Sequence, residues 1–333
     1  MGKKLMHNRK NNYQGPKRIA HRGDWSVAPE NTLSAFKAAV NGKAEGIEID
    51  IRMTRDREIV VFHDETLTRV MAGRPDYPAG VKISGLTWEE LSAMELPYGG
   101  HLLNHFPRRG FEKEQWYYYP WNQRETPRET VCHMNRISKA AQTEEEFYRM
   151  MSEEYAGTYR AACEEDPRTE GVMRLEEFLL WLKEQAEDFI AEIEYKEGAM
   201  MEELLALFEK TGTAGRCILF SGVEAYNREI QTYCAVHGKP EGLRLGANIR
   251  FLTEETFASI KEYDLYEVGL NAGAYTKKDV NLLNDLGIRV FSNLGDYHKW
   301  WADIQPCGAA EGTAGFKTNC CKPYMNWWNQ YAK

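Results

Sequence analysis

The sequence predicts an α/β fold, a (β/α)8 TIM barrel, because short apolar runs of strand length alternate with stretches of amphipathic helical spacing. The composition is that of a soluble globular protein, with 43% hydrophobic and 28% charged residues in a chain of 333. The eight predicted strands are Arg18–His21, Gly46–Ile51, Glu58–His63, Asp188–Tyr195, Arg216–Phe220, Leu243–Asn248, Tyr266–Leu270 and Gly287–Ser292.

Amphipathic helices are predicted in most of the gaps between these strands. In the first helix, Thr32–Val40, the residues Leu33, Phe36 and Val40 share one face behind a cap at Asn31 or Thr32. Alternation of this kind along the chain points to a (β/α)8 barrel. The later helices are predicted at Met200–Lys210, Glu224–Val236, Glu254–Lys261 and Lys277–Leu286.

Two segments do not follow this alternation. Residues 97–172 are too long for an ordinary barrel loop, and we predict that they form an inserted subdomain between the third and fourth strands. Residues 1–17 are basic and contain no apolar stretch of the kind found in a secretory signal, so they are predicted to be an N-terminal tail. The barrel itself is therefore predicted to span residues 18–333.

Charge and cysteine content restrict the partners and the compartment. The net charge of −8 argues against a nucleic-acid partner that binds the whole surface. No run of eighteen apolar residues occurs, so no transmembrane segment is expected. The seven cysteines are an odd number and show no metal-binding spacing. Together with the missing signal they favour reduced thiols and a cytoplasmic location.

Two predicted strands carry carboxylates on the face opposite their apolar residues. Alternation in GIEIDI directs Glu48 and Asp50 together into the barrel, and alternation in AEIEYK does the same for Glu194 and Lys196. Ionised carboxylates buried side by side are costly unless a cation neutralises them. One divalent cation, Mg²⁺ or Ca²⁺, suits an all-carboxylate site better than Zn²⁺. The alternative is a lysine or arginine partner inside the barrel.

Two histidines end predicted strands at the side of a barrel where active sites lie. His21 follows an apolar run, as does His63, and each could serve as a general acid or base. Arg22 and Lys196 add positive charges that could bind a phosphate group. The combination of proton-transfer groups, a cation site and fixed positive charges is what phosphodiester cleavage requires.

These motifs resemble those of one known family. His21-Arg22-Gly23 is followed by Pro29-Glu30-Asn31-Thr32, by Glu48-Ile49-Asp50, by His63-Asp64 and by Glu194-Tyr195-Lys196. In this combination and spacing, they resemble the glycerophosphodiester phosphodiesterases. The resemblance is strong over residues 18–96, weaker over 174–222, and faint towards the end of the chain.

The resemblance implies a TIM-barrel hydrolase of lipid and glycerol metabolism. It implies that His21 and His63 are the catalytic acid and base, and that Glu48, Asp50 and Glu194 hold the metal. The glycerol 2-hydroxyl would attack phosphorus, and water would open the cyclic phosphate. The products would be glycerol 3-phosphate and an alcohol such as choline or ethanolamine.

The chain departs from the family pattern at three places, and two other functions stay open. Asp24-Trp25, the stretch Val290–Asp296 and Asn319 differ from the usual residues, in loops expected to contact the alcohol. One alternative is a lyase-like phospholipase resembling the sphingomyelinase D group, which can end at the cyclic phosphate. The other is an inactive barrel that binds phosphodiesters without cleaving them.

The aromatic run Trp116–Trp121 in the insertion has two interpretations. Its rings could cover the site and contact a quaternary ammonium group by cation–π attraction. Alternatively, they form the core of the insertion or a subunit contact, through which the protein would be a homo-oligomer. We favour the second interpretation.

Overall fold

The computed structural model describes most of the barrel and part of the inserted segment. The basic tail up to residue 15 lies outside the described residues, as does the aromatic run apart from Tyr118 and Tyr119. The described residues are 16–25, 27–72, 74, 77, 80–101, 118–119, 124–125, 136–137, 139–271, 274–293, 312–319, 321 and 325.

The described residues form strands and helices in alternation along most of the chain. The strands are β1 (Lys17–His21), β2 (Gly46–Met53), β3 (Ile59–Val61), β4 (Glu95–Pro97), β5 (Tyr118–Tyr119), β6 (Arg124–Glu125), β7 (Thr169–Gly171), β8 (Met173–Arg174), β9 (Ile190–Tyr195), β10 (Cys217–Phe220), β11 (Arg244–Arg250), β12 (Glu267–Asn271), β13 (Arg289–Asn293) and β14 (Gly315–Thr318). The helices are α1 (Leu33–Asn41), α2 (Trp88–Ser92), α3 (Tyr98–His101), α4 (Glu144–Glu154), α5 (Ala156–Glu165), α6 (Leu175–Lys183), α7 (Met201–Thr211), α8 (Glu224–His237), α9 (Glu254–Glu262) and α10 (Lys277–Asp285).

Eight parallel strands close into a barrel, which confirms the predicted fold class. Their order around the barrel is β1, β2, β9, β10, β11, β12, β13 and β14, and β14 pairs with β1 to complete the ring. Parallel neighbours have their carboxyl ends at the same side of the barrel. Side chains that end these strands and point inwards therefore meet at one mouth.

The predicted third strand is wrong as a barrel strand, and the predicted eighth strand is wrong in its position in the ring. The run Glu58–His63 yields β3, which pairs antiparallel with the end of β2. The link from Met53 to Ile59 is a short turn, whereas a parallel crossover needs a dozen or more residues. The run predicted as the eighth strand, Gly287–Ser292, is the seventh of the barrel, β13. The eighth is β14, a short strand whose apolar pattern is interrupted by Lys317.

The inserted segment follows β3 in the chain, as expected. Because β3 is not part of the ring, the insertion falls between the second and third strands of the barrel, β2 and β9. Its two ends lie side by side, since β4 pairs antiparallel with β7. Between them, the described part contains the two-stranded pair β5–β6 and the consecutive helices α4 and α5.

The core that positions the site lies between the barrel and its helices. Ile47, Ile49 and Ile51 on β2 are fully buried on the outer face of the strand. They join a cluster that includes Phe36 of α1 and Phe178 of α6, whose rings meet edge to face at 5.1 Å. Burying each isoleucine contributes about 1.5–3 kcal/mol. This fixes the register of β2 and leaves Glu48 and Asp50 facing the interior of the barrel.

No helix among the described residues combines the length and the apolar character needed to cross a bilayer.

Candidate active site

Three carboxylates meet at the mouth of the barrel and could hold a metal ion. Glu48 and Asp50 extend from β2, and Glu194 extends from its neighbour β9, where it is the register partner of Asp50. One oxygen of each lies within 4.8 Å of the others. Glu48 and Asp50 are completely buried, and Glu194 is largely buried. The two strands thus bring together the three residues that the sequence predicts as metal ligands.

The pKa values of Glu48 and Asp50, the two members of the cluster on β2, are shifted in opposite directions. Burial, together with the negative charge of Asp50, raises the pKa of Glu48 well above its usual value. Burial would also raise the pKa of Asp50, but Lys196 and Arg22 outweigh it and hold that pKa well below the usual value. Among the described residues, Glu48 Oε1 has no hydrogen-bond donor although it is buried. An oxygen in that state is suited to a cation.

Two positive side chains contact the carboxylate cluster. Lys196 Nζ lies 2.9 Å from Glu194 and 3.1 Å from Asp50, and 17% of its side chain is exposed. Arg22 Nε lies 3.0 Å from Asp50, and Arg22 is almost completely buried. The sequence predicts a metal ion or, as an alternative, a basic partner for these carboxylates. Basic partners, Lys196 and Arg22, are present beside the predicted metal ligands.

The backbone at Arg22 is held in an unusual conformation. Its φ of 57° lies in the left-handed region, which a residue with a side chain seldom adopts. The Arg22 N–H donates to the Glu48 carbonyl oxygen at 2.8 Å and also lies 3.2 Å from Glu48 Oε2. Asn31 has the same φ of 57°, and its side-chain amide donates to Asp50 at 3.0 Å. Strained residues with such contacts are typical of functional sites.

His21 ends β1 beside the carboxylates. Its Nδ1 lies 2.7 Å from Asn319 Oδ1, and its Nε2 lies 3.9 Å from Glu48 Oε2. Because an amide oxygen only accepts, Nδ1 carries the proton in this arrangement and Nε2 has its lone pair towards the site. Burial, and then the charge of Arg22, lowers the pKa of His21 well below 6.5. Asn319 thus orients the imidazole of His21.

His63 follows β3 and has a carboxylate partner instead. Its Nδ1 is in hydrogen-bond contact with Asp64, and its charge helps to lower the pKa of the Asp50 carboxyl. The backbone oxygen of His63 accepts from Arg52 Nε at 2.8 Å, and Arg52 is paired with Glu197. His63 is therefore fixed both at its ring and at its main chain.

A buried chain of ion pairs connects the two histidine motifs. Arg69 donates to Asp64 from Nε at 2.7 Å and from Nη2 at 3.1 Å. The same guanidinium donates to both oxygens of Glu30 at 2.6 Å. Glu30 also accepts from Arg22 at 2.8 Å. Burial alone would raise the pKa of Glu30, but Arg69 and Arg22 lower it well below its usual value.

Three asparagines face the barrel mouth on the side opposite the carboxylates. Asn248, Asn271 and Asn293 lie at the carboxyl ends of β11, β12 and β13. Asn293 Nδ2 donates to Asn248 at 2.7 Å. A Cβ at Gly269 would lie only 2.9 Å from Asn293 Oδ1, so glycine allows this close approach. Among the described residues, the mouth therefore has carboxylates on one side and carboxamides on the other.

The structure brings all seven predicted site residues to this mouth. Sequence reasoning missed the partners that hold them. Asp64 and Glu30 belong to the quoted motifs, so their positions carried a signal. In the sequence, Asn319 stands out only as a departure from the family pattern. Arg69 carried no local signal, because nothing in its neighbourhood shows that it turns back towards Glu30.

The curated proteins to which the chain is similar include glycerophosphodiester phosphodiesterases. The chain is 53% identical over 55 residues to a glycerophosphodiester phosphodiesterase of Caldanaerobacter subterraneus, an alignment that covers 16% of this chain and 23% of the relative. The chain thus spans only about a quarter of the length of the curated relatives that it matches.

Solved structures match over nearly the whole chain. A glycerophosphodiester phosphodiesterase of Parabacteroides distasonis superposes with a TM-score of 0.59 at 15% identity, covering 95% of this chain and 98% of the other. A phosphodiesterase of Oleispira antarctica, solved in complex with the product sn-glycerol 3-phosphate, gives a TM-score of 0.58 at 15% identity, covering 95% and 97%. At these identities, the matches establish the shared fold.

The family assignment comes from the match over the motif-bearing half of the barrel. The sequence pattern of the glycerophosphoryl diester phosphodiesterase family matches residues 21–211, which are more than half of the chain. The matched range includes both histidines, the three carboxylates and the buried ion pairs. The chain belongs to the glycerophosphoryl diester phosphodiesterase family.

Proposed function

We propose that the protein hydrolyses glycerophosphodiesters to glycerol 3-phosphate and an alcohol, in a reaction that depends on a divalent cation. The observation that carries the proposal is the meeting of His21, His63 and the carboxylate cluster at one barrel mouth. Two imidazoles with oriented ring nitrogens can move protons on either side of a phosphate. Family membership supports the same reaction.

The residues at the cluster fit a hard divalent cation. Glu48, Asp50 and Glu194 would hold one Mg²⁺ or Ca²⁺, which supplies positive charge for the non-bridging oxygens of the phosphate. The buried Glu48 oxygen without a donor and the raised pKa of Glu48 both reflect excess negative charge in this cluster. Carboxylate oxygens are the donors that these two ions prefer.

The fixed positive charges are proposed to bind the phosphate. The ammonium of Lys196 lies beside Glu194 and is partly exposed, so a ligand in the mouth can reach it. Arg22 is held by Asp50 and Glu30, which gives its guanidinium a single orientation. A preorganised positive group of this kind stabilises charge that gathers on phosphate oxygens during the reaction.

His21 and His63 are proposed to act as the acid–base pair. One histidine would remove the proton of the glycerol 2-hydroxyl as it attacks phosphorus, and the other would protonate the departing alcohol. Water would then open the cyclic phosphate with the roles reversed. Asn319 and Asp64 hold the two rings, so the protein itself fixes both proton-transfer groups.

Release of glycerol 3-phosphate would place the reaction in lipid and glycerol metabolism. The cytoplasmic location and the homo-oligomer stay predictions from the sequence.

The proposal is tested with glycerophosphocholine, comparing wild type with His63→Ala. Each protein is assayed for glycerol 3-phosphate in EDTA and after Mg²⁺ or Ca²⁺ is restored. His237→Ala is the matched control, because His237 lies on the exposed side of α8. We expect release by wild type and by the control only with metal, and loss of about a hundredfold or more in His63→Ala.

Three outcomes would overturn the proposal. Equal activity of wild type and His63→Ala would remove His63 from the reaction. A folded wild type that binds glycerophosphocholine but releases nothing with either metal would favour the inactive barrel. A stable cyclic phosphate as the end product would favour the lyase alternative.

A further inference from the structure

The inserted helix α4 contacts the loop that follows His63. Its residue Glu145 accepts hydrogen bonds from the hydroxyls of Thr66 and Thr68, one to each carboxylate oxygen, both at 2.6 Å. Thr66 and Thr68 are buried, and their hydroxyls lie 3.0 Å apart. A single side chain of the insertion therefore fixes two positions of the loop.

A second contact from α4 reaches the same loop. The ring of Tyr148 lies against the guanidinium of Arg69, which is 5.4 Å from the ring centroid. Tyr148 lies one turn after Glu145 on the helix, so both side chains face the loop. Cation–π contacts are strengthened when the cation is removed from water, as the buried Arg69 is.

The loop that Glu145 and Tyr148 contact also contains Asp64, the partner of His63. Arg69 binds Asp64 through two nitrogens, and Asp64 contacts Nδ1 of His63. On its other side, Arg69 is held by both oxygens of Glu30. The connection from Glu145 to His63 thus runs through a short loop in which Asp64, Thr66, Thr68 and Arg69 are buried.

We propose that the insertion acts in catalysis through Glu145, which is a positioning residue for His63. By fixing Thr66 and Thr68, Glu145 keeps Arg69 and Asp64 in place, and Asp64 sets the orientation of the imidazole. This rests on the proposed function, and it assigns the inserted helix a role in the chemical step rather than in recognition of the alcohol. A misplacement of about 1 Å in such a group can cost about a hundredfold in rate.

The first test compares two substitutions of Glu145. Glu145→Ala removes both hydrogen bonds, and we expect kcat to fall about ten- to a hundredfold with little change in KM. Glu145→Gln should keep most of the activity, because its amide can accept from one hydroxyl and donate to the other. Glu153→Ala is the matched control, since Glu153 lies on the same helix in an exposed pair with Arg149.

The second test asks whether Glu145 acts through His63. In the His63→Ala background, Glu145→Ala should cause no further loss of the remaining activity. An equal loss in both backgrounds would show that the effect does not pass through His63. A rise in KM with kcat unchanged would instead assign the helix to substrate binding. Either result overturns the proposal.

A measurement made without substrate tests the positioning role of Glu145 independently of the proposed hydrolysis. The imidazole N–H that His63 shares with Asp64 should give a downfield proton resonance in wild type, assigned by its loss in His63→Gln. We expect Glu145→Ala to broaden or shift this resonance and Glu153→Ala to leave it unchanged. An unchanged resonance in Glu145→Ala contradicts positioning even if the protein hydrolyses glycerophosphocholine. A changed resonance in an inactive protein would refute only the reaction.

Discussion

At the scale of single residues, the two histidines differ in the partner of Nδ1. His21 has the neutral amide of Asn319, and His63 has the carboxylate of Asp64. A carboxylate stabilises a protonated imidazole, whereas an amide oxygen fixes only the tautomer and the orientation. We therefore expect the two rings to serve different parts of the proposed proton-transfer cycle.

Replacing Asp64 tests this difference. Asp64→Asn removes the charge next to His63 and also leaves Arg69 with one fewer anionic partner. We expect kcat for glycerophosphocholine to fall about a hundredfold or more, because the amide can hold the wrong tautomer of the ring. Asp264→Asn is the control, since Asp264 is exposed and pairs only with Lys239 among the described contacts. Equal activity of the two variants would contradict the role given to Asp64.

At the scale of secondary-structure elements, two adjacent parallel strands form the carboxylate cluster that is the proposed metal site. The register of β2 against β9 sets Asp50 beside Glu194, and alternation along β2 sets Glu48 on the same face. All three proposed ligands lie on strands. Removal of the metal should therefore change the stability of the barrel as well as its activity.

Thermal unfolding measures this link directly. A cation that binds only the folded protein raises the Tm, by an amount that grows with its concentration. We expect Mg²⁺ or Ca²⁺ to raise the Tm of wild type above its value in EDTA, and to have little effect on Glu194→Gln. Glu209→Gln, an exposed change on α7, should respond like wild type. A similar rise in all three proteins would place the binding elsewhere.

The strands also show which parts of the structure could be predicted from the sequence alone. Alternation in β2 and β9 suffices to predict which side chains enter the barrel, because apolar residues on the other face must pack against helices. It does not reveal the direction of β3, which depends on the short turn after Met53. It also misses β14, since the buried Lys317 resembles a surface residue until Glu192 is seen beside it. Arg69 depends on contacts across distant loops, which no local pattern contains.

At the scale of the whole molecule, the barrel encloses a second ionic group below the mouth. Lys317 lies 2.9 Å from Glu192, and both are buried with Glu267 inside the barrel. Burial, followed by repulsion from Glu192, raises the pKa of Glu267 well above its usual value. Lys317 is close enough to lower that pKa in part, but it does not cancel the effect of burial.

The free energy of unfolding of the protein should depend on pH because of Glu267. Between the unfolded pKa, near 4.5, and the higher folded pKa, the native state holds a proton that the unfolded chain has lost. The free energy of unfolding therefore falls as pH rises through this window, by up to about 1.4 kcal/mol per pH unit.

Urea unfolding of metal-free protein at pH about 5 and about 7 measures this dependence. Glu267→Gln mimics the protonated carboxyl, so it should reduce the loss of stability between the two pH values relative to wild type. Glu262→Gln, an exposed change on α9, should keep the dependence of wild type. An unaltered pH dependence in Glu267→Gln would show that Glu267 is already ionised in the folded protein.

We propose that this barrel mouth cleaves a phosphodiester at phosphorus and completes the hydrolysis with water. The most direct measurement is ³¹P NMR of glycerophosphocholine turnover by the metal-loaded wild type in ¹⁸O-labelled water. We predict that glycerol 3-phosphate accumulates with ¹⁸O on phosphorus and that choline contains none. Label in the choline, or the absence of any phosphorus product, would contradict hydrolysis at phosphorus.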